Sequence, residues 1–281
     1  MKRHLNLLGS GFSHAFSSSF WYHPEHIIWD KSPNYTSDIN VHVDNAIIDI
    51  PVDSTKKSFF WVAESSGIVT NVISWMRENK EYLEKNFIYG FTYDKTLLDL
   101  TNNIKYVTPN WISWIPENER KIYPKTKLVS MIASNKTITE GHRYRQEIIQ
   151  KFSGKVDHFG SGFRHIPNVI DGFRDYMFSI SMENMNYIGC YTEKIINNFC
   201  SGTIPIAYCG IDINEIFNPD GIIMFTDDFK IEDLSPELYY SKIDAINENY
   251  ELAKKLITTE DYFYLNYIKP YELQRSTSEN N

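Results

Sequence analysis

The sequence predicts an α/β protein made of two Rossmann-like domains facing a central cleft. Three observations predict it. Short apolar runs alternate with helical stretches through the first half of the chain. The same alternation restarts in the second half. Between them, residues 115–127 (IPENERKIYPKTK) are polar and flanked by prolines, which is linker composition. Alternating strands and helices specify parallel sheets covered by helices. A length of 281 residues suits two domains of moderate size. We place them at 1–122 and 123–281, with the last helix, about 255–281, expected to pack back on the first domain.

In order, 4–9, 26–30, 46–50 and 58–64 are short apolar runs bounded by turn residues and read as strands. Residues 68–86 place Val69, Val72, Ile73, Met76 and Leu83 at helical spacing. Residues 87–93 are strand-like and 104–116 extended. In the second half, 128–134 is a strand, and 139–152 is a helix with Ile148, Ile149 and Phe152 on one face. Residues 156–160 and 176–183 are strands. Thr192 is expected to cap a helix that Gly202 ends, followed by strands 203–210 and 221–225. The tail is helical.

Composition narrows the function. The net charge of −8 disfavours a general nucleic-acid binder but permits a local basic pocket. Cys190, Cys200 and Cys209 have neither C-x-x-C spacing nor a histidine pair beside them, so they read as buried thiols and not as a zinc site. The apolar stretch at the N-terminus is too short for a signal peptide's core, and no run of about eighteen apolar residues occurs. The expected location is cytoplasmic.

One local sequence carries an electrostatic puzzle. Thr192-Glu193-Lys194 opens an apolar helical run, so an ammonium sits where the amide dipoles already present positive charge. An anion docking there resolves it. The strand ending at Met182-Glu183 delivers the chain to the carboxyl edge of its sheet, where open α/β sheets bind ligands. Free amides and Lys194 favour phosphate, and Glu193 can accept both hydroxyls of a ribose. Arg143 and Arg145 lie early in the preceding helix, at the same edge, where an arginine can fork onto a diphosphate. Together these point to a nucleotide or nucleotide-sugar. The competing reading is a solvated, charged helix start.

The stretches VSMIASN, YRQEIIQKF, VDHFG, DYMFSISMEN, YTEKIINNFCSGTIPI and FNPDGIIMFTDDF, within residues 125–230, resemble the C-terminal domain of glycosyltransferase family 10, the α-1,3/1,4-fucosyltransferases. The resemblance implies a GT-B fold, a GDP-sugar donor, typically GDP-fucose, and transfer with inversion and without a metal. Carried over by position, it puts Arg145, Asn184, Glu193 and Lys194 at the donor, with Tyr191 beside them. Arg143, Ser134 and Asn135 are further donor-contact candidates. Two departures stand out. Cys190 occupies a place that is aromatic in many members, and the strand after T-I-P-I runs Ala-Tyr-Cys-Gly where Tyr-Trp-Gly is usual.

Inverting transfer needs a general base at the acceptor hydroxyl and charge stabilisation of the departing diphosphate. Arg145 and Lys194 supply the second. For the base we select Glu64, which ends a strongly apolar strand; partial burial there would lift its pKa. The family has a glutamate after a strand in its Glu-Ser-Pro stretch, and here the stretch is Glu-Ser-Ser. No D-x-D triplet stands at a strand end, and Thr226-Asp227-Asp228 reads as a turn. GSGFSH (9–14) reads as a turn or an acceptor contact through His14, and Trp21, Tyr22, Trp111 and Trp114 as core or sugar-stacking residues. The expected activity is fucosyl transfer to a glycan or saccharide acceptor, with no resident cofactor. The alternatives are the same chemistry with another nucleotide-sugar, or a binding protein that has lost turnover.

Overall fold

The structure, a computed structural model, describes residues 2–9, 12, 14–32 and 34–278. The chain forms two compact α/β units. One comprises Met1–Asn110 with Ile257–Asn281, and the other Trp111–Leu256. Among the described residues, no helix is long and apolar enough to cross a membrane.

The first unit contains β1 (Arg3–Leu8), β2 (Ile27–Asp30), β3 (Ile39–Val43), α1 (Ala46–Asp49), β4 (Lys57–Val62), α2 (Thr70–Glu78), α3 (Lys80–Asn86), β5 (Gly90–Thr92) and β6 (Ile104–Tyr106). Its six strands are parallel in the order β2-β1-β3-β4-β5-β6. Strand order reverses between β1 and β3. One face of the sheet packs Val41, Phe59, Trp61 and Phe91 against Phe263 and Ile268 of the C-terminal segment. The other packs Phe60 and Val62 on Val72, Ile73, Met76 and Leu83 of α2 and α3. Each such fully buried side chain is worth roughly 1.5–3 kcal/mol.

Two local expectations change here. Residues 46–50 form the short helix α1, and the strand is β3, just before it. A short apolar run does not distinguish helix from strand. The polar residues of β3 hid its burial. Asn40 accepts from Asn6 at 2.7 Å, and His42 Nδ1 lies 3.2 Å from the Ala46 carbonyl oxygen. The helix expected over 68–86 breaks at Asn79, whose backbone (φ −120°, ψ 40°) closes α2 and opens α3. The extended stretch 104–116 contributes only the three residues of β6 to the sheet.

The second unit holds β7 (Lys127–Ile132), α4 (Glu140–Lys151), β8 (Asp157–Phe159), β9 (Tyr176–Met182), α5 (Glu193–Phe199), β10 (Ile204–Tyr208), β11 (Ile223–Met224), α6 (Pro236–Ser241) and α7 (Ile243–Ala253). Its sheet is parallel in the order β11-β10-β9-β7-β8, so the reversal falls between β7 and β9. Every residue of β9 is buried, as a central parallel strand requires. Lys125, itself buried, donates to the carbonyl oxygens of Phe173, Arg174 and Ser201 and to Thr203 Oγ1 at 2.8–3.2 Å. It thereby ties the approach to β9 to the approach to β10. Cys190, Cys200 and Cys209 are free and buried, as expected.

The C-terminal segment of the first unit folds as α8 (Thr259–Phe263), a π-helical stretch (Tyr264–Ile268) and α9 (Lys269–Ser278). Glu272 anchors it, accepting from Arg3 at 2.7 Å and from Lys57 at 3.1 Å.

Candidate active site

Parallel sheets place ligands at the carboxyl ends of their strands, where the order reverses. In the second unit that point lies between the ends of β7 and β9. Ser134 and Asn135 follow β7; Glu183 and Asn184 follow β9. Helix α4 starts against the latter pair. Thr139 Oγ1 and the Gly141 N–H donate to the Asn184 carbonyl oxygen at 2.7 and 3.2 Å. A Cβ on Gly141 would stand 2.5 Å from that oxygen and 2.6 Å from the Glu183 carbonyl oxygen, so only glycine permits the contact. His142 caps the helix: its Nδ1 accepts the Thr139 N–H, and its own N–H donates to Thr139 Oγ1. Burial, with the charges of Arg145, Lys136 and Lys194, pushes the His142 pKa down to about 4. The ring is therefore neutral at pH 7, as an accepting Nδ1 requires.

One turn along α4, Arg145 is 4% exposed and donates to the Met182 carbonyl oxygen at 2.7 Å. Its Nε–H is buried without an acceptor. An orphaned buried donor costs about 1–3 kcal/mol, more for a charged group. Gln146 holds the Ser134 carbonyl oxygen at 2.9 Å, and Asn135 N–H donates to the Ser161 carbonyl oxygen at 3.0 Å.

The Lys194 puzzle has an answer inside the chain, in a residue the sequence reading passed over. Glu183 is wholly buried at the end of β9. Its Oε1 accepts the N–H and the hydroxyl of Thr192, each at 2.7 Å, and its Oε2 accepts from Lys194 Nζ at 2.9 Å. Glu193 Oε1 stands 3.3 Å from the same ammonium. Thr192 occupies the N-cap position of α5, but its side chain makes no capping bond to the helix. That corrects its expected role: the hydroxyl is spent on Glu183. Burial opposes ionisation of Glu183, yet Lys194 and the two Thr192 donors hold its pKa below the usual carboxylate range. Glu193 moves up instead, through burial and through Glu183, against the pull of Lys194. The two carboxylates raise Lys194 against the desolvation of its ammonium, and Arg145 works against them. Both carboxylates act on Arg145 as well. The structure therefore brings Arg145, Glu193, Lys194 and the Asn184 backbone to one edge. Lys194 keeps 35% of its side chain exposed, so its ammonium remains within reach of a ligand.

Tyr191 is different. It is wholly buried, its ring centroid 6.3 Å from that of Trp111, and it has no free face to offer a donor. Its apolar ring serves the core under the loop.

Beside the cluster lies an open cavity of about 630 Å³, lined by Glu140, Arg143, Tyr144, Tyr208, Phe225 and Asp227 among others. Tyr144 donates to Asp227 Oδ1 at 2.7 Å and lies 5.2 Å, centroid to centroid, from Tyr208. The Tyr208 carbonyl oxygen accepts the Glu183 N–H at 2.9 Å, which makes cavity and charge cluster neighbours. Arg143 alone among these was anticipated as a contact. The signal for the others was the Tyr144 position on the Arg143–Arg145 helix and the aromatic ending of β10. Residues 227–228 form a turn, as read. Among the described residues, no group of three or more His, Cys, Asp and Glu side chains is placed to hold a metal ion.

Glu64 lies in the first unit, two residues beyond β4. Its side chain is exposed, so the partial burial expected for it is absent; β4 ends at Val62, short of Glu64. The buried carboxylate at this edge is Asp44, directly after β3. Burial, reinforced by Glu64, raises the Asp44 pKa to about 7 against two backbone donors. Of the GSGFSH stretch, Ser10, Gly11 and Ser13 lie outside the described residues. Trp21 is exposed and Trp111 buried.

Comparison with solved structures finds an α1,3-fucosyltransferase with GDP-fucose at 16% identity. The match covers 88% of this chain and 82% of that one, with a TM-score of 0.53. The same enzyme type with GDP matches over the same shares at 16% identity and a TM-score of 0.51. At this identity the likeness speaks for the fold, the GT-B class of two Rossmann-like α/β units. The family model for the C-terminal part of glycosyltransferase family 10 (fucosyltransferase) matches residues 122–262, half of the chain. That span takes in β7 through α7 and with them every residue of the charge cluster: the chain belongs to glycosyltransferase family 10, the fucosyltransferases.

Proposed function

We propose that the protein transfers fucose from GDP-fucose to a hydroxyl of a glycan or saccharide acceptor, in one inverting displacement that uses no metal. The observation that carries this reading is the buried Arg145 with its unsatisfied Nε–H, set over the Glu183–Glu193–Lys194 cluster at the strand-order reversal. A diphosphate oxygen would satisfy Arg145 and draw Lys194 toward itself. The two cations would then neutralise the leaving group as its charge develops, the task a metal performs in other transferases. Glu193 would hydrogen-bond the ribose hydroxyls, and Asn184, with Ser134 and Asn135, would line the donor's path.

The neighbouring cavity suits the base. Tyr144, Tyr208 and Phe225 offer aromatic faces, and Glu140 and Asp227 offer acceptors. Guanine presents two adjacent donors, N1–H and the 2-amino group, which match a carboxylate; uracil presents no such pair. This favours GDP over UDP, consistent with the donor bound in the fucosyltransferase neighbour. Glu64 is our base for the acceptor hydroxyl.

Calorimetry and turnover together test this. Lys194→Ala and Arg145→Lys should each weaken GDP binding at least tenfold. Glu64→Gln should bind GDP as the parent does and release none from GDP-fucose in the presence of acceptor. Tighter binding of UDP than of GDP would remove the donor assignment, and unchanged GDP affinity in both cation variants would remove the site.

A further inference from the structure

We infer that Asp44 is a positioning residue for Glu64: its carboxylate pins the peptide that carries the proposed base. This rests on the Glu64 reading above. Among the described residues, Asp44 is one of three non-glycine residues with positive φ, at +51°. A left-handed residue other than glycine costs on the order of 1 kcal/mol, and aspartate and asparagine tolerate it best. The backbone would be better served by glycine here. What glycine lacks is the side chain. Asp44 Oδ1 accepts the N–H of Ala63 at 2.9 Å and the N–H of Glu64 at 3.2 Å. The same residue's N–H donates to the Trp61 carbonyl oxygen at 3.0 Å, and its carbonyl oxygen accepts the Ile47 N–H at 3.0 Å, the first turn of α1. One buried residue thus ties the ends of β3 and β4 to the start of α1. The left-handed turn is what swings the carboxylate across to the Ala63–Glu64 peptides.

The consequence is specific. Glu64 has an exposed side chain on a fixed root. A base on a mobile loop would spend much of its time out of reach of the acceptor hydroxyl, and misplacement by an ångström is expensive in rate. Because both N–H groups go to a single oxygen, an amide at this position serves as well as a carboxylate. Asparagine also accepts φ near +51°. Glycine keeps the turn and removes the acceptor.

Three variants separate the roles, read as GDP release from GDP-fucose and as GDP affinity by calorimetry. Asp44→Gly should lose at least tenfold in kcat, with KM for GDP-fucose and Kd for GDP within twofold of the parent. Asp44→Asn should restore kcat to within threefold. Glu64→Gln should abolish turnover. If Asp44→Gly turns over normally while Glu64→Gln is dead, the inference fails and the base assignment stands. If Asp44→Asn falls as far as Asp44→Gly, ionisation is needed and positioning through an acceptor is refuted. If Glu64→Gln stays active, the base reading fails and takes this inference with it. Hydrogen exchange on the parent protein provides a measurement independent of any variant's folding. The Ala63 and Glu64 amides should exchange at least tenfold more slowly than those of Ser66 and Gly67, and equal rates would overturn the proposal.

Discussion

Replacing Glu183 by glutamine should destabilise the second unit by about 2 kcal/mol at pH 7. The carboxylate accepts two bonds from Thr192 at 2.7 Å and one from Lys194 at 2.9 Å, with none of its surface in water. Glutamine keeps one acceptor oxygen for Thr192. Its amide nitrogen then faces either the ammonium or the Thr192 hydroxyl, and the charge-assisted bond is lost. Removing one partner of a fully buried pair costs roughly 3–5 kcal/mol. Here the figure is smaller, because Lys194 is 35% exposed and Glu193 stands 3.3 Å away as a second partner. Urea unfolding of the full chain, with hydrogen exchange of residues 192–200 to report on this unit, measures it. At a slope of about 2 kcal/mol/M the midpoint should fall by roughly 1 M. The sign with pH is a second check. Glu183 titrates below its ordinary value in the folded state, so its contribution is full above about pH 4.3 and disappears as pH falls through the folded pKa. The difference between parent and variant should shrink on acidification. A variant within 0.5 kcal/mol of the parent at pH 7 would refute the claim that an ionised Glu183 holds the start of α5.

Gly141→Ala should lower stability and weaken GDP binding, although alanine is the better helix former by up to about 1 kcal/mol. Its Cβ would push α4, and Arg145 with it, off the 183–184 carbonyl oxygens; a melt and a GDP titration read both effects. Lys125→Met should cost about 2–4 kcal/mol, because three carbonyl oxygens and Thr203 Oγ1 lose their shared donor in a buried setting, and denaturant midpoints measure it. Asp44, raised to about 7, holds its proton in the folded state after the unfolded chain has released it. The folded state binds more protons between about pH 4 and 7, so stability should fall as pH rises across that window and level off above it. Asp44→Asn should flatten that slope in unfolding free energy measured from pH 4 to 8.

Much of the fold was legible from periodicity. The two alternating halves, the strands 128–134, 176–183 and 203–210 and the helix 139–152 all carry clear apolar patterns. The errors are physical. The polar residues of β3 conceal a buried strand because Asn40 and His42 find partners inside the protein, which a hydropathy pattern does not register. At the site, cations were easier to find than their counter-ions. Lys194 stood out because it violates the dipole rule, whereas Glu183 looked like the end of a strand. The resemblance puts Tyr191 beside the donor, but a hydroxylated aromatic in a loop can equally turn inward, and this one does.

The charge arrangement also constrains how a donor would bind. A diphosphate approaching Lys194 meets two carboxylates already in possession of the ammonium, and an anion beside two carboxylates is repelled by both. Glu183 cannot move, since Thr192 holds it by two bonds. Glu193 can yield, because its raised pKa leaves it the readier of the two to take a proton, and a protonated Glu193 no longer competes for Lys194. Donor binding by this route would take up a proton, and a fixed Glu183 would keep the ammonium anchored while its other side turns to the phosphate. Titration of GDP into the protein in two buffers of different ionisation enthalpy reads that proton directly. Net proton uptake on GDP binding is the expected result, and none would mean that the ammonium leaves both carboxylates, or neither, when the donor arrives.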